Sequence, residues 1–182
     1  MRLVATEYLS LDGVFEEPGH WSGPFFKEDA GQFKWRELQA SDALLLGRRT
    51  YEGFAAAWPT MTGTGEFGEK MNSMPKFVIS STLDSVEWTG SRLVKGVVAE
   101  EVGKLKQAPG NDLLLSGSGQ LFQSLMDANL IDLYRFMVHP IVLGEGKRLF
   151  SDRTDQRTLR LTSTETFSTG IVILEFEPAD RA

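Results

Sequence analysis

Residues 113–122 read LLLSGSGQLF, a run of leucines that meets two serine-glycine pairs and then returns to apolar residues. The leucines predict a buried strand over Asp112–Leu115, and the residues after the turn predict a helix over Gln120–Ala128. The first N–H groups of such a helix have no partner within it and point towards the strand ends, where the helix dipole favours an anion. Gly117 and Gly119 would let a diphosphate approach the backbone with no Cβ in the way. The plainer reading is a tight strand-to-helix turn capped by Ser118. The stretch departs from the dinucleotide-binding fingerprint of doubly wound proteins, because Phe122 stands at the third glycine position and the unit comes late in the chain. Gly144-Glu145-Gly146-Lys147 lacks the spacing and the Ser/Thr of a nucleotide-triphosphate loop.

A second unit of the same design lies upstream. In LLLGRRTYEGF (44–54) another apolar strand, Ala43–Leu46, meets Gly47, Arg48, Arg49 and Thr50 at the start of a short helix over Tyr51–Ala57. Forked guanidinium groups beside unsatisfied N–H donors suit phosphate oxygens, and the alternative is a solvated arginine pair with Thr50 as an ordinary cap. In VISSTL (78–83), Ser80, Ser81 and Thr82 follow the strand Lys76–Ser80 and either bind a further phosphate or begin a turn.

The remaining pattern places these units in one sheet. The chain opens with a strand at Leu3–Leu9, and Phe33–Gln39 and Val98–Gln107 read as helices. Residues 16–31 are rich in Gly, Pro and aromatics and suggest an ordered loop over a site, while residues 60–73 read as a flexible loop. Leu133–Val142, Thr158–Thr166 and Gly170–Phe176 are strand-like, with no obvious helix between them. Strands alternating with helices, then strands alone, predict an α/β three-layer sandwich around a mixed, mostly parallel sheet with an antiparallel C-terminal edge. In such sheets ligands sit at the carboxyl ends of strands.

Composition narrows the classes. A chain of 182 residues with 41% hydrophobic and 24% charged residues suits one globular domain over residues 1–182. The absence of cysteine excludes disulfides and thiolate catalysis, and two histidines are too few for a multi-histidine zinc site, so no metal is expected. A net charge of −6 argues against a nucleic-acid partner. No run approaches the ~18 apolar residues of a membrane helix, so neither a membrane nor a leader segment is expected, and the cytoplasm is favoured.

Other polar residues are candidates for contact with a substrate. Asp12, in the SLDG turn at 10–13, is a turn residue by default and a polar anchor in the functional reading. His20 and Trp21 belong to the loop at 16–31, Glu145 stands between two glycines, and His139 precedes Pro140 and reads as structural.

With SLDG, LLLGRRTYE, VISSTL, LLSGSGQLFQSL and HPIVLGEGKRLF in this order, the chain resembles the dihydrofolate reductase-like family. The branch it resembles holds the reductase domain of the bifunctional riboflavin-biosynthesis deaminase-reductase, and the likeness runs from about Leu3 to Glu177. The resemblance implies NADPH as cofactor, lying along the strand ends. It implies that Gly47, Arg48, Arg49 and Thr50 hold cofactor phosphates, that Ser80 and Ser81 with Arg48 or Arg49 surround the adenosine 2′-phosphate, and that Thr82 belongs to the same cofactor-binding edge. Ser116, Gly117, Ser118, Gly119, Gln120 and Leu121 would cover the diphosphate and part of the nicotinamide ribose. The acid that dihydrofolate reductases carry on the first helix would fall near Gly31, with Asp29 two residues away. The substrate side is assigned to Asp12, Trp21, Asp29, Tyr51 and Glu145, with Asp12 orienting a small-molecule substrate. The activity expected is hydride transfer from NADPH to a C=N or C=O bond of a small polar, pterin- or flavin-precursor-like substrate by a homodimer. A non-catalytic NADPH-binding protein with a sensing role is the alternative.

Overall fold

The computed structural model describes residues 1–150 and 154–179. The apolar runs form the strands β1 (Arg2–Ser10), β2 (Ser41–Gly47), β3 (Lys76–Ile79), β4 (Ser91–Val94), β5 (Asp112–Ser116), β6 (Leu133–His139), β7 (Leu159–Thr166) and β8 (Val172–Pro178). They join in one eight-stranded sheet of order β4-β3-β2-β5-β1-β6-β8-β7. From β4 to β6 every pairing is parallel, and β8 and β7 add antiparallel strands at one edge. The mixed sheet with its antiparallel edge is the architecture the sequence predicts.

The helices α1 (Glu28–Gln39), α2 (Arg48–Ala57), α3 (Gly65–Ser73), α4 (Val98–Gln107) and α5 (Gly119–Asp127) complete the layers. One face of the sheet packs Leu38 of α1, Tyr51 of α2 and Met71 of α3 against Leu44, Leu46 and Leu114. The other packs Val102 of α4 and Leu121, Phe122, Leu125 and Met126 of α5 against Ala43, Leu45, Leu113 and Leu115. Each large apolar side chain so buried contributes roughly 1.5–3 kcal/mol. Among the described residues no helix is long and apolar enough to cross a membrane.

Four local expectations are revised. Residues 65–73 form α3 rather than a flexible loop. Its two glycines and Asn72 disfavour a helix, but Phe67 packs on Trp35 and Trp58, and buried Met71 joins the core. Tertiary burial outweighs the propensity. The helix α1 starts at Glu28, with Glu28 and Asp29 in its first turn, so the loop predicted at 16–31 is shorter. Strand β4, four half-exposed residues, gave no periodic signal. Strand β6 stops at His139, because Pro140 has no N–H to give the ladder.

Candidate functional site

The two glycine turns become neighbours because β2 and β5 pair directly. From these adjacent strands α2 leaves towards one face and α5 towards the other, which opens a crevice at the carboxyl ends of the strands. The two turns are also bonded to each other. Gly47 N donates to Ser118 Oγ at 2.9 Å, and Ser118 N donates to Thr50 Oγ1 at 3.0 Å. Ser118 Oγ in turn donates to Ser116 O at 3.1 Å. Thr50 and Ser118 thus hold the turns together through their hydroxyls rather than offering those hydroxyls to a ligand.

The lock needs unusual backbone. Gly117 (φ 56°) and Ser118 (φ 64°) are both left-handed, a conformation that costs a non-glycine residue of order 1 kcal/mol or more. A Cβ on Gly117 would stand 3.2 Å from Thr50 Oγ1, and one on Gly47 3.3 Å from Ser118 Cβ. Gly119 is bare for another reason than the one predicted: a Cβ there would meet the Phe15 ring at 2.2 Å. With the turns fixed, the N–H groups of Gly119, Gln120 and Leu121 have no acceptor inside α5, and the same holds at the start of α2. Two positive helix ends therefore meet at one crevice.

The neighbouring strand end extends this anion-suited edge. Gly47 lies opposite Ile79 in the β2–β3 register, so Arg48 and Ser80 are the next residues of adjacent strands. Ser80 is buried, and its Oγ accepts from the N–H groups of Thr82 and Leu83 at 3.2 and 3.1 Å. That is turn chemistry, whereas Ser81 and Thr82 are exposed. Arg48 is exposed and paired with both oxygens of Glu52 at 3.1 Å, and Arg49 is exposed beside it.

The carboxylates chosen from the sequence are held in place by backbone groups. Asp12 accepts from Ser10 Oγ at 2.7 Å and from the N–H groups of Leu143 and Gly144 at 3.1 and 2.9 Å, with Arg148 at 3.5 Å. These bonds, that of Ser10 first, pull its pKa down to about 2. Asp12 therefore fastens the SLDG turn to residues 143–148, and its oxygens are occupied by that task. Asp29 accepts from Ser168 N at 2.7 Å, a bond that lowers its pKa. It lines a hollow of about 370 Å³ with Lys27, Glu28, Gln32 and Ser168 on the outer side of α1. Neither carboxylate is set up as an acid. Tyr51 is also corrected: its ring is buried in the core, and its hydroxyl accepts from Glu87 N and Trp88 N at 2.8 and 3.2 Å, leaving no surface for a substrate. Glu145 is exposed between Gly144 (φ 79°) and Gly146 (φ 102°).

Between α1 and the sheet lies a charged cluster that the sequence reading passed over. Lys34 contacts Glu37, donates to Thr6 Oγ1 at 3.2 Å and stands 5.4 Å from the centre of the Tyr8 ring. Arg135 on β6 bridges Glu37 at 3.0 Å and Glu175 on β8 at 2.6 Å. Burial works to raise the Glu37 pKa, but Lys34 and Arg135 outweigh it and hold the carboxyl below its ordinary range. Glu7, on β1, is buried with Oε1 unpartnered among the described residues, and burial raises its pKa well above the usual carboxylate range. The signal was present as charges inside apolar strands, Glu7 in RLVATEYLS and Arg135 in LYRFMVH.

Trp21 packs edge-on against the His139 ring, which is fully buried at the carboxyl end of β6. The loop carrying Trp21 thus covers the end of the sheet rather than its far side.

A family model of the RibD C-terminal domain matches residues 2–173. The chain belongs to the RibD C-terminal domain family. A Bacillus subtilis relative of this family member, the uncharacterized protein YyaP, is 30% identical over 175 residues, covering 94% of this chain and 92% of its own. Among solved structures, the diaminohydroxyphosphoribosylaminopyrimidine deaminase/5-amino-6-(5-phosphoribosylamino)uracil reductase of Thermotoga maritima matches with a TM-score of 0.69 at 16% identity. That match covers 98% of this chain and 56% of the bifunctional protein. A dihydrofolate reductase from Enterococcus faecalis complexed with NADP(H) matches with a TM-score of 0.68 at 18% identity over 98% of this chain and 97% of its own. The chain therefore has the dihydrofolate reductase-like fold.

Proposed function

We propose that the protein is an NADPH-dependent reductase of the cytoplasm, acting on a C=N or C=O bond of a small polar, pyrimidine- or pterin-like substrate. The observation that carries this reading is the pair of helix starts locked together at the carboxyl ends of β2 and β5. Family membership and the NADP(H) complex of a protein of the same fold support the choice of cofactor. Bound NADPH supplies a hydride. The chain's own part is to hold and orient. Free N–H groups of α2 and α5 would hold the diphosphate, and Arg48, Arg49, Ser81 and Thr82 the 2′-phosphate, one strand over. A cofactor held there would have its other end nearer β1 and β6, the next strands after β5 in the sheet, and Lys34, Glu37 and Arg135 form a largely buried ion cluster between α1 and those strands.

NADPH carrying deuterium at its transferable position, incubated with the protein and a metabolite extract, tests this reading. Label recovered in a reduced small molecule supports it. Tight NADPH binding with no label in any product would overturn the reductase and leave the cofactor-binding sensor.

A further inference from the structure

On β1 the side chains alternate between the two helical layers. Leu3, Ala5 and Leu9 join the core beneath α4 and α5, whereas Thr6 accepts from Lys34 of α1. Glu7 therefore points to the α5 face, as does Phe136, its partner across the β1–β6 register. On the other side the β1–β5 register ends at Thr6 and Ser116, so Glu7 stands level with Gly117 in the turn that starts α5. Leu121 and Phe122 of that helix pack on the same face.

Glu7 is 2% exposed, and its Oε1 has no hydrogen-bond partner among the described residues. A buried acceptor left without a donor is costly and calls for a reason. The charges nearby are spent elsewhere. Lys34 contacts Glu37, and Arg135 bridges Glu37 and Glu175, all on the α1 side of the sheet. Burial raises the Glu7 pKa, Lys34 opposes that rise and Glu37 adds to it. The site thus favours the neutral carboxylic acid, which has an O–H to donate as well as an oxygen to accept.

A cofactor whose diphosphate lies on the helix starts that follow β2 and β5 has its far end over the next strand, β1. That end is the nicotinamide, whose ring carries a primary carboxamide with an acceptor oxygen and N–H donors. We propose that Glu7 recognises this carboxamide, donating the O–H of its acid form to the amide oxygen and accepting an amide N–H at Oε1. Acid and amide are complementary through two parallel hydrogen bonds, and a carboxylate, which only accepts, could make just one of them. Glu7 thereby reads the nicotinamide end of the cofactor, a task separate from the phosphate contacts of Arg48, Arg49 and the two turns. The assignment rests on the reductase reading for its cofactor; the orphaned acceptor is what the structure supplies.

Calorimetry with NADP⁺, its 3-acetylpyridine analogue and adenosine 2′,5′-bisphosphate tests this. The analogue has a methyl group in place of the amide nitrogen, and the bisphosphate has no nicotinamide. Wild type should bind NADP⁺ about two- to twelvefold more tightly than the analogue, the worth of one hydrogen bond. Glu7→Met removes donor and acceptor at similar volume, so that ratio should fall to about one while binding of the bisphosphate stays. Glu7→Gln keeps a donor and an acceptor and should retain the ratio. Difference infrared spectra give a second readout: the C=O band of a protonated carboxyl, missing in Glu7→Gln, should move to lower frequency when NADP⁺ is added. Should a variant fold poorly, the wild-type ratio and spectra still decide. A ratio of one in wild type, an unchanged ratio in Glu7→Met, or a carboxyl band that ignores bound NADP⁺ overturns the role of Glu7 alone, because binding of the bisphosphate shows that the phosphate site stands. No binding of NADP⁺ or of the bisphosphate by wild type would sink the cofactor reading, and this assignment with it.

Discussion

Replacing Arg48 and Arg49 with alanine is the perturbation that bears most directly on the cofactor. Arg48 is held by Glu52 one turn along α2, with the two side chains 42% and 46% exposed. An exposed pair at that spacing is worth about 0.3–0.5 kcal/mol. A charge-assisted contact with the 2′-phosphate contributes about 1.5–3 kcal/mol. The phosphate therefore wins the guanidinium from Glu52 with about 1–2.7 kcal/mol to spare, or about five- to a hundredfold in affinity, and exposed Arg49 adds to this. NADPH should bind at least about tenfold more tightly than NADH, measured by calorimetry, and the gap should shrink as salt screens the exposed charges. The double alanine variant should erase most of the gap and disturb NADH binding less. Glu52→Gln removes the competitor and a negative charge, so it should widen the gap about twofold. Equal affinities for the two cofactors in the wild type, or an unchanged preference in the double variant, would refute the assignment.

Asp12→Asn should lower the melting temperature near neutral pH. The folded pKa of Asp12, about 2, lies below its ordinary value of 3.8, so its stabilising contribution is present above about pH 4 and is lost as pH falls towards 2. The gap in melting temperature between wild type and variant should close over that window, and a gap independent of pH would contradict the fastening role. Thr50→Val leaves Ser118 N without its acceptor, which costs about 1–3 kcal/mol, or roughly 2–12 °C in melting temperature for a chain of this length. NADPH affinity should fall with it, and an unchanged melting curve would show that the two turns are not locked through this bond. A homodimer is expected to cover the outer edge of β7, where Leu161 is half exposed; light scattering that gives the mass of one chain at micromolar concentration would end that expectation.

Local sequence determined the frame. Leucine runs followed by Gly47 and by Ser116–Gly119 specify strand, turn and helix within a few residues, because burial of the strand and the turn's backbone demands are both local. Strand-then-helix alternation followed by strands alone was enough for the mixed sheet with its antiparallel edge. Gly117 and Gly119 were legible as positions to be kept free of a Cβ, and Gly47 only as part of a phosphate-suited turn. What they make room for was not: Ser118, Thr50 and the Phe15 ring occupy those spaces.

The rest was decided by which strands lie side by side. β2 and β5 are separated by more than sixty residues in sequence, and only their pairing turns two ordinary capped turns into one crevice with two helix ends. The same pairing order carries Asp12 to residues 143 and 144, and Asp29 to Ser168. Carboxylates that look available in the sequence are thereby committed to distant backbone N–H groups. Tyr51 and His139 show the converse. A helix residue beside a promising motif is buried, and a histidine beside a proline has, among the described residues, an acceptor without a partner and a ring packed edge-on to a tryptophan. Hydrogen-bond partners and burial are properties of three-dimensional neighbours, and spacing along the chain carries no record of them.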